Sequence, residues 1–279
     1  MLITTERPKL WTTARRSWAS LFAALRRMPL LFLIGFVLLV GLNIALARAP
    51  ELFSIPTREA MKTTLTGGRS LHTADLGKAI GLDLVTVILK AMIAAPIAVG
   101  VHRFVLLGET RRFYFVSRLT LRFSAWLLAL QAPALILWWL ILFASGATGL
   151  VPLLTLLLIA FAMVLLQASP LFPAVAVEEK SPGISARMET ALARGERMLW
   201  RTFLILVLTF LPVVVVQAIA VRGFAKLAEK IVWLAPLAKG AAGVIAIALG
   251  TAVVSYLFSY SAHRAESEKP LPGAAPAKL

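Results

Sequence analysis

The sequence contains no cysteine and few ionisable side chains other than lysine and arginine. Among its 279 residues are three histidines and a total of 13 aspartates and glutamates. Without cysteine the chain has no disulfide, no thiolate metal site and no cysteine nucleophile. His72, His102 and His263 are far apart, so none of them has the i, i+4 spacing of a helical metal site. We therefore predict no metal and no cofactor.

The signatures of several common enzyme classes are also missing. Gly-x-Ser-x-Gly, the phosphate-binding loop and His-Glu-x-x-His do not occur in the sequence. Asp83 is the only carboxylate inside a predicted membrane span, so the sequence does not support a paired-aspartate intramembrane protease. Glu178 and Glu179 follow a span, where solvated or helix-start charges are common. We predict that the protein is not an enzyme.

Charged residues of either sign make up only 15% of the chain, whereas 59% is hydrophobic and the mean hydropathy is +0.86. A helix crosses the roughly 30 Å hydrocarbon layer with about 20 apolar residues. The apolar runs lack the period-two alternation of membrane-barrel strands. The predicted fold is all-α, a polytopic membrane protein with six transmembrane helices and basic amphipathic interfacial helices.

The apolar runs divide the chain into three parts. A basic amphipathic segment is predicted at 1–28, a six-helix transmembrane domain at 29–262 and a flexible tail at 263–279. The first span is expected to remain as an uncleaved anchor. Residues 221–240 are predicted to form an interfacial helix before the last span. The six spans are predicted at about 29–47, 79–101, 124–143, 150–168, 202–220 and 241–260.

The net charge of +16 is concentrated in the connections between the spans. In a soluble protein such a charge would favour nucleic-acid binding, but here it flanks apolar runs, and we predict no nucleic-acid partner. Lysines and arginines are about twice as numerous on the side of the termini as on the other side. The positive-inside rule then predicts that both termini are cytoplasmic.

Lys90 is the most unusual residue of the predicted spans. An ionisable group at mid-membrane costs about 2.5–3.5 kcal/mol, and it usually faces the bundle interior or a water-filled cavity. We predict that Asp83, Lys90, Gln131 and Gln217 form a substrate or ion path, with Asn43 as a further polar neighbour. The alternative is a snorkelling or structurally paired lysine. His102, beside Arg103, is a candidate for proton handling, but a membrane-edge anchor is the preferred interpretation.

Arginines recur at helical spacing in two predicted cytoplasmic connections. They could contact the phosphates of anionic lipids, or they could simply set the topology. The candidate lipid-contact residues are Arg111, Arg118, Arg122, Arg187, Arg194, Arg197 and Arg201.

The stretch from Leu171 to Thr202 resembles a pattern of uncharacterised bacterial inner-membrane proteins related to the membrane domain of glycerophosphodiester phosphodiesterases. The segment from Pro96 to Glu109, with VHRFVLLGE, is also similar to such proteins. The resemblance covers about two-thirds of the chain and implies a multi-span domain in a bacterial inner membrane. The catalytic domain is not among these residues, so hydrolysis does not carry over. The pattern is matched by Pro173, Ala176, Val177, Glu178, Ala191, Arg194, Gly195 and Trp200.

Two functions follow from these features. The first is a non-enzymatic scaffold or accessory protein of the bacterial inner membrane, in contact with membrane lipids, including anionic headgroups, or with a membrane-protein partner. The second is a small transporter or channel subunit for an anionic solute or lipid that uses Lys90.

Overall fold

A computed structural model describes most of the chain, and the described residues form eight α-helices without a strand. The predicted all-α fold is thereby confirmed. The structure describes residues 9–55, 73–110, 114, 116–143, 150–177, 199–230 and 233–267. The helices are α1 Leu10–Arg27, α2 Pro29–Leu52, α3 Thr73–Leu107, α4 Arg118–Phe143, α5 Leu150–Ala168, α6 Leu171–Ala176, α7 Leu199–Lys230 and α8 Leu234–Ser267.

Six of these helices are long and apolar enough to cross a bilayer, so the protein is a multi-pass membrane protein as predicted. The bounds of the fourth span agree with the prediction, and the other five spans differ by several residues. The crossing segments are Pro29–Leu52, Asp75–Leu107, Arg118–Phe143, Leu150–Ala168, Leu199–Ile219 and Leu234–Tyr260.

The structure differs from the predicted boundaries near the last span. Residues 221–240 do not form a separate interfacial helix, because α7 continues to Lys230 and α8 already begins at Leu234. The last span therefore starts seven residues earlier than predicted and includes Lys239. Helix α8 also continues to Ser267, into the predicted flexible tail, and residues 268–279 lie outside the described part.

Helices α2, α3 and α8 form the most tightly packed part of the bundle. Small residues lie at their contacts, which lets apolar helices approach closely in a membrane. A Cβ on Gly240 of α8 would lie 2.5 Å from Cγ2 and 3.3 Å from the backbone nitrogen of Val40 on α2. Gly100 of α3 similarly faces Leu31, and Gly35 of α2 faces Ile97. These contacts make α2 antiparallel to both of its neighbours.

Helix α3 continues through Pro96 but lacks one backbone hydrogen bond there, and the connection to α4 folds back to that point. Proline has no backbone N–H, so the carbonyl of Met92 loses its helical donor. The Tyr114 hydroxyl donates to the carbonyl of Ile93 at 2.8 Å and approaches that of Met92 at 3.5 Å. Burial raises the pKa of Tyr114 to about 12, so the phenol remains a donor at ordinary pH. The proline break is thus supported by a side chain from outside the helix.

Helix α1 packs against the last turns of α8 and against α7. The Ser20 and Tyr256 hydroxyls are 2.6 Å apart, and the Trp18 indole N–H donates to the carbonyl of Thr209 at 3.2 Å. Leu21 of the predicted amphipathic segment is buried, whereas Trp11 is exposed. Pro29 separates α1 from α2, because a residue that precedes proline avoids helical geometry.

Candidate intramembrane cavity

A cavity of about 640 Å³ lies between α3, α4 and α8, with α2 at one end and α6 at the other. Helices α4 and α8 both pack on α3, and among the described residues they make little contact with each other. The volume is in the range of small-molecule sites, which run from about 300 to 1,000 Å³. Its polar or charged lining residues are Asn43, Lys90, His102, Gln131, Lys239 and Thr251.

Polar side chains of α2, α3 and α8 lie at about one level at the α2 end of the cavity. Ile97 of α3 faces Gly35 of the antiparallel α2. Lys90 precedes Ile97 by seven residues, or about 10 Å, and Leu42 follows Gly35 by the same number. Lys90 is therefore level with Leu42 and Asn43. Gly240 contacts Val40, which places the preceding Lys239 within a helical turn of the same level. Gln131 of α4 lines the same cavity. We call Lys90, Lys239, Asn43 and Gln131 the polar ring.

The polar ring carries positive charge without a described counterion. None of the described lining residues is an aspartate or glutamate. Within the described part of the chain, neither Lys90 nor Lys239 forms a salt bridge or hydrogen bond. Lys90 is an exposed residue of α3 that lines the cavity, and it is not enclosed in the packed core. Its part in a substrate or ion path and the alternative of a snorkelling lysine both stay predictions. The cavity therefore offers two ammonium groups to whatever occupies it.

The middle of the cavity is apolar and exists because its walls carry small side chains. Ala91, Ala94 and Ala98 form a stripe on α3, and Gly243 and Gly250 of α8 also line the cavity. Alanine and glycine leave room that leucine would fill, and their surface offers no hydrogen bond. This middle section can therefore hold hydrocarbon but not a second charge.

Aromatic rings close the cavity at its α6 end. The ring centroids of His102 and Phe123 are 5.8 Å apart, and those of Phe123 and Phe172 are 5.3 Å apart. Such distances are typical of favourable ring pairs. Phe172 belongs to α6, a helix of six residues that follows the break at Ser169 and Pro170. We call His102, Phe123 and Phe172 the cavity floor.

His102 is 1% exposed and is fixed by a hydrogen bond to α8. Its Nδ1 lies 2.7 Å from the hydroxyl oxygen of Ser255. That hydroxyl donates its hydrogen to the carbonyl of Thr251 at 2.8 Å. A serine hydroxyl has only one hydrogen, and with that hydrogen on the Thr251 carbonyl the oxygen accepts from His102. On this basis we assign the ring hydrogen of His102 to Nδ1. The arrangement connects α3 and α8 beneath the cavity.

The end of α3 is fastened to α6 by an arginine. Gly108 ends the helix in the left-handed region, with φ at 72°, a conformation that glycine adopts without a steric cost. The turn brings Glu109 to Arg103, whose Nε and Nη2 donate to the two carboxylate oxygens at 2.8 and 3.0 Å. Nη1 of Arg103 donates to the carbonyl of Ala176 at 3.2 Å, at the end of α6. The guanidinium thus holds α6 in place.

The structure brings together only part of the predicted substrate path. Lys90 and Gln131 line the cavity, as does Asn43. Asp83 lies on α3 seven residues before Lys90 and is not a lining residue, and Gln217 is exposed on α7 away from the cavity. A spacing of seven residues puts Asp83 on the same helical face as Lys90. The lining of the cavity on α3 starts only at Val87, so Asp83 lies outside the cavity.

Three of the seven predicted lipid-contact arginines are described. Arg118 and Arg122 are exposed at the start of α4, and Arg201 is half-buried at the start of α7. Contact with anionic lipid stays a prediction. The other four, Arg111, Arg187, Arg194 and Arg197, lie outside the described residues.

Two residues of the cavity were missed or misread from the sequence. Lys239 was assigned to an interfacial helix because it follows the basic residues of 221–230. The glycines at Gly240 and Gly243 are the signal that could have placed it, since small residues mark helix contacts in membranes. His102 was interpreted as an anchor because of its neighbour Arg103, and no sequence signal distinguishes the two roles.

Comparison of the chain with protein-family models, curated proteins and solved structures gives no match. The resemblance to the membrane domain of glycerophosphodiester phosphodiesterases stays a prediction.

Proposed function

We propose that the protein binds an anionic amphiphile in its intramembrane cavity, as a carrier or receptor for that molecule in the membrane. The observation that carries this proposal is the placement of two lysines from different helices, Lys90 and Lys239, at one end of a cavity whose lining is mostly apolar. The anionic group would lie in the polar ring and the hydrocarbon chain along the alanine stripe of α3.

The energetics of the cavity favour such a ligand. A lysine in a membrane span is costly unless it is paired or hydrated. A carboxylate or phosphate in the ring would accept hydrogen bonds from both ammonium groups, and bonds to charged groups contribute about 1.5–3 kcal/mol each. Methylene groups along the apolar section add contacts with alanine and glycine. A neutral amphiphile would leave the lysines without a partner.

Binding of labelled hexadecanoate to the protein in phosphatidylcholine nanodiscs tests the proposal. Lys90→Met and Lys239→Met should each weaken binding about tenfold, because each removes one charged hydrogen bond. The double variant should lose binding almost completely. Lys78→Met is the matched control, since Lys78 is an exposed lysine of α3 that does not line the cavity.

Two outcomes would overturn the proposal. Equal binding of hexadecanoate by the double variant and the unaltered protein would mean that the lysines do not recognise the anion. Equal binding of hexadecanol would mean that the site does not require a charge. A phosphate-bearing single-chain lipid, tested in parallel, distinguishes a carboxylate from a phosphate site, and preference for either one supports an anion site.

We also propose that the protein lies in the bacterial cytoplasmic membrane with both termini in the cytoplasm, from the distribution of lysine and arginine. The chain has no native cysteine, so single cysteines can be labelled without background. A cysteine at Ala147 should react only from outside the cell and one at Ser181 only from inside. The reverse pattern would invert the topology. The scaffold or accessory function, with a protein partner, also stays a prediction.

A further inference from the structure

The cavity floor contains a hydrogen-bond acceptor that no described residue uses. His102 Nδ1 donates to Ser255, and a neutral imidazole carries only one N–H, so Nε2 carries a lone pair. The neutral form fits the site, because His102 is almost fully buried beside the uncharged Phe123 and Ser255. His102 lines the cavity, and within the described residues Nε2 has no hydrogen-bond partner.

The position of this acceptor relative to the polar ring defines a two-ended site. Lys90 and His102 are twelve residues apart on α3, which is about 18 Å along the helix. The lining between them on α3 is the stripe of Ala91, Ala94 and Ala98. One end of the cavity thus donates hydrogen bonds to an anion, the other end accepts one, and the section between them is apolar.

We propose that the molecule bound here carries a hydrogen-bond donor, most simply a hydroxyl group, at the end of the chain opposite its anionic group, and that His102 Nε2 accepts that hydrogen bond. The ligand class is therefore an ω-hydroxylated anionic chain rather than a plain fatty acid. This inference rests on the proposed function, because it places the anionic group at Lys90 and Lys239.

The physical basis is the cost of an unsatisfied buried acceptor. A terminal methyl group placed against Nε2 would displace water from the nitrogen without replacing its hydrogen bond. A hydroxyl of the right reach would satisfy the nitrogen. Sites built around a polar group reject analogues that lack the complementary group. His102 then acts as a specificity-determining residue, and Ser255 acts as a positioning residue that fixes the tautomer.

Competition among three fatty-acid ligands in the nanodisc assay tests this inference on the unaltered protein. The chains are hexadecanoate, ω-hydroxyhexadecanoate and ω-methoxyhexadecanoate, with the dodecanoate and tetradecanoate series included to match the reach of the site. At the best-fitting length the hydroxyl chain should bind about fivefold more tightly than the plain chain. The methoxy chain, which accepts but cannot donate, should show no such gain.

Variants of the floor provide the second arm. His102→Phe keeps an aromatic ring beside Phe123 and should abolish the preference for the hydroxyl chain, measured as the ratio of its affinity to that of hexadecanoate in the same variant. Ser255→Ala should reduce the preference only in part, because Nδ1 is then free to give up its hydrogen to Nε2. Lys90→Met should weaken all three chains equally.

The outcomes separate this inference from the proposed function. Lysine-dependent binding of hexadecanoate without a hydroxyl preference at any length would overturn the role of His102 and leave the proposed function standing. An equal gain for the methoxy chain would do the same. Absence of binding by every chain, or binding insensitive to Lys90 and Lys239, would overturn both. A hydroxyl preference that persists in His102→Phe would place the donor elsewhere.

Discussion

The bundle consists of two regions that follow different packing rules. In the most apolar stretches of α3 and α8, 44% and 50% of the residues are buried inside the protein, whereas the corresponding values for α4 and α5 are 6% and 0%. The first region has glycines at its helix contacts, and the second presents leucine and isoleucine outwards. The cavity lies where the two regions meet. One wall of the site is therefore a tightly packed unit, and the other wall is formed by α4 of the mostly exposed α4–α5 hairpin.

The packed region should be the most sensitive to added volume. Gly240→Leu should destabilise the protein by about 3 kcal/mol, because its Cβ already conflicts with Val40 and α2 cannot move away without opening the core. Unfolding in mixed micelles, followed by circular dichroism, measures the change. Gly41→Leu is the matched control, since nothing lies within 4 Å of a Cβ at that position. Equal effects of the two substitutions would show that α2 and α8 are not closely packed.

The attachment of α3 to α6 by Arg103 should be the next most important feature. Arg103→Gln should lower the free energy of unfolding by about 2 kcal/mol, because it removes the paired contact with Glu109 and a bond to the Ala176 carbonyl. Glu109 is half exposed, which keeps the effect moderate. Arg122→Gln, an exposed arginine at the start of α4, should have no measurable effect. A similar loss in both variants would contradict a specific role for Arg103.

The support at the proline break should contribute less. Tyr114→Phe should cost about 1 kcal/mol, because it removes one hydrogen bond to the Ile93 carbonyl. Burial raises the pKa of Tyr114 from 10 in the unfolded chain to about 12 in the folded protein. The contribution of Tyr114 to the free energy of unfolding is therefore complete below pH 10 and is lost as the pH rises towards 12. The alkaline part of the loss should disappear in Tyr114→Phe. Tyr260→Phe is the control and should retain the alkaline loss, because the hydroxyl of Tyr260 makes only a 3.5 Å approach to Arg16 among the described residues.

The hairpin surface should be the least sensitive. Leu156→Ala on α5 should change the free energy of unfolding by less than about 0.5 kcal/mol, because the side chain is 63% exposed and has lipid or detergent on most of its surface. The same micelle assay measures this change. A loss above about 2 kcal/mol that depends on protein concentration would instead mean that a second copy of the chain packs on α5.

The sequence predicted the number of spans because hydrocarbon thickness fixes the length of an apolar run. It also identified Lys90, since a charge among apolar residues is visible without any knowledge of neighbours. It could not identify Lys239 as part of the same site, because which helices are adjacent depends on packing and not on periodicity. The same limitation explains Gln217, which is polar and inside a span but lies on a helix that does not border the cavity.

His102 illustrates a second limit. Its neighbours in the chain are Val101 and Arg103, which make it resemble a residue at the membrane edge. Its role depends on Ser255, which is 153 residues away in the sequence. The hydroxyl of Ser255 donates to the carbonyl of Thr251. Only the folded arrangement determines which nitrogen keeps its lone pair.

Helices α3, α7 and α8 contain 35, 32 and 34 residues, so each is about 50 Å long, roughly 20 Å more than the hydrocarbon thickness. Such helices must tilt or extend beyond the hydrocarbon, and a thicker bilayer would draw them upright. Helix α1 is bonded to two of them, through Thr209 and Tyr256. A change in lipid chain length would therefore change the angle between α7 and α8. The hydrogen bonds from α1 to both helices would resist that change.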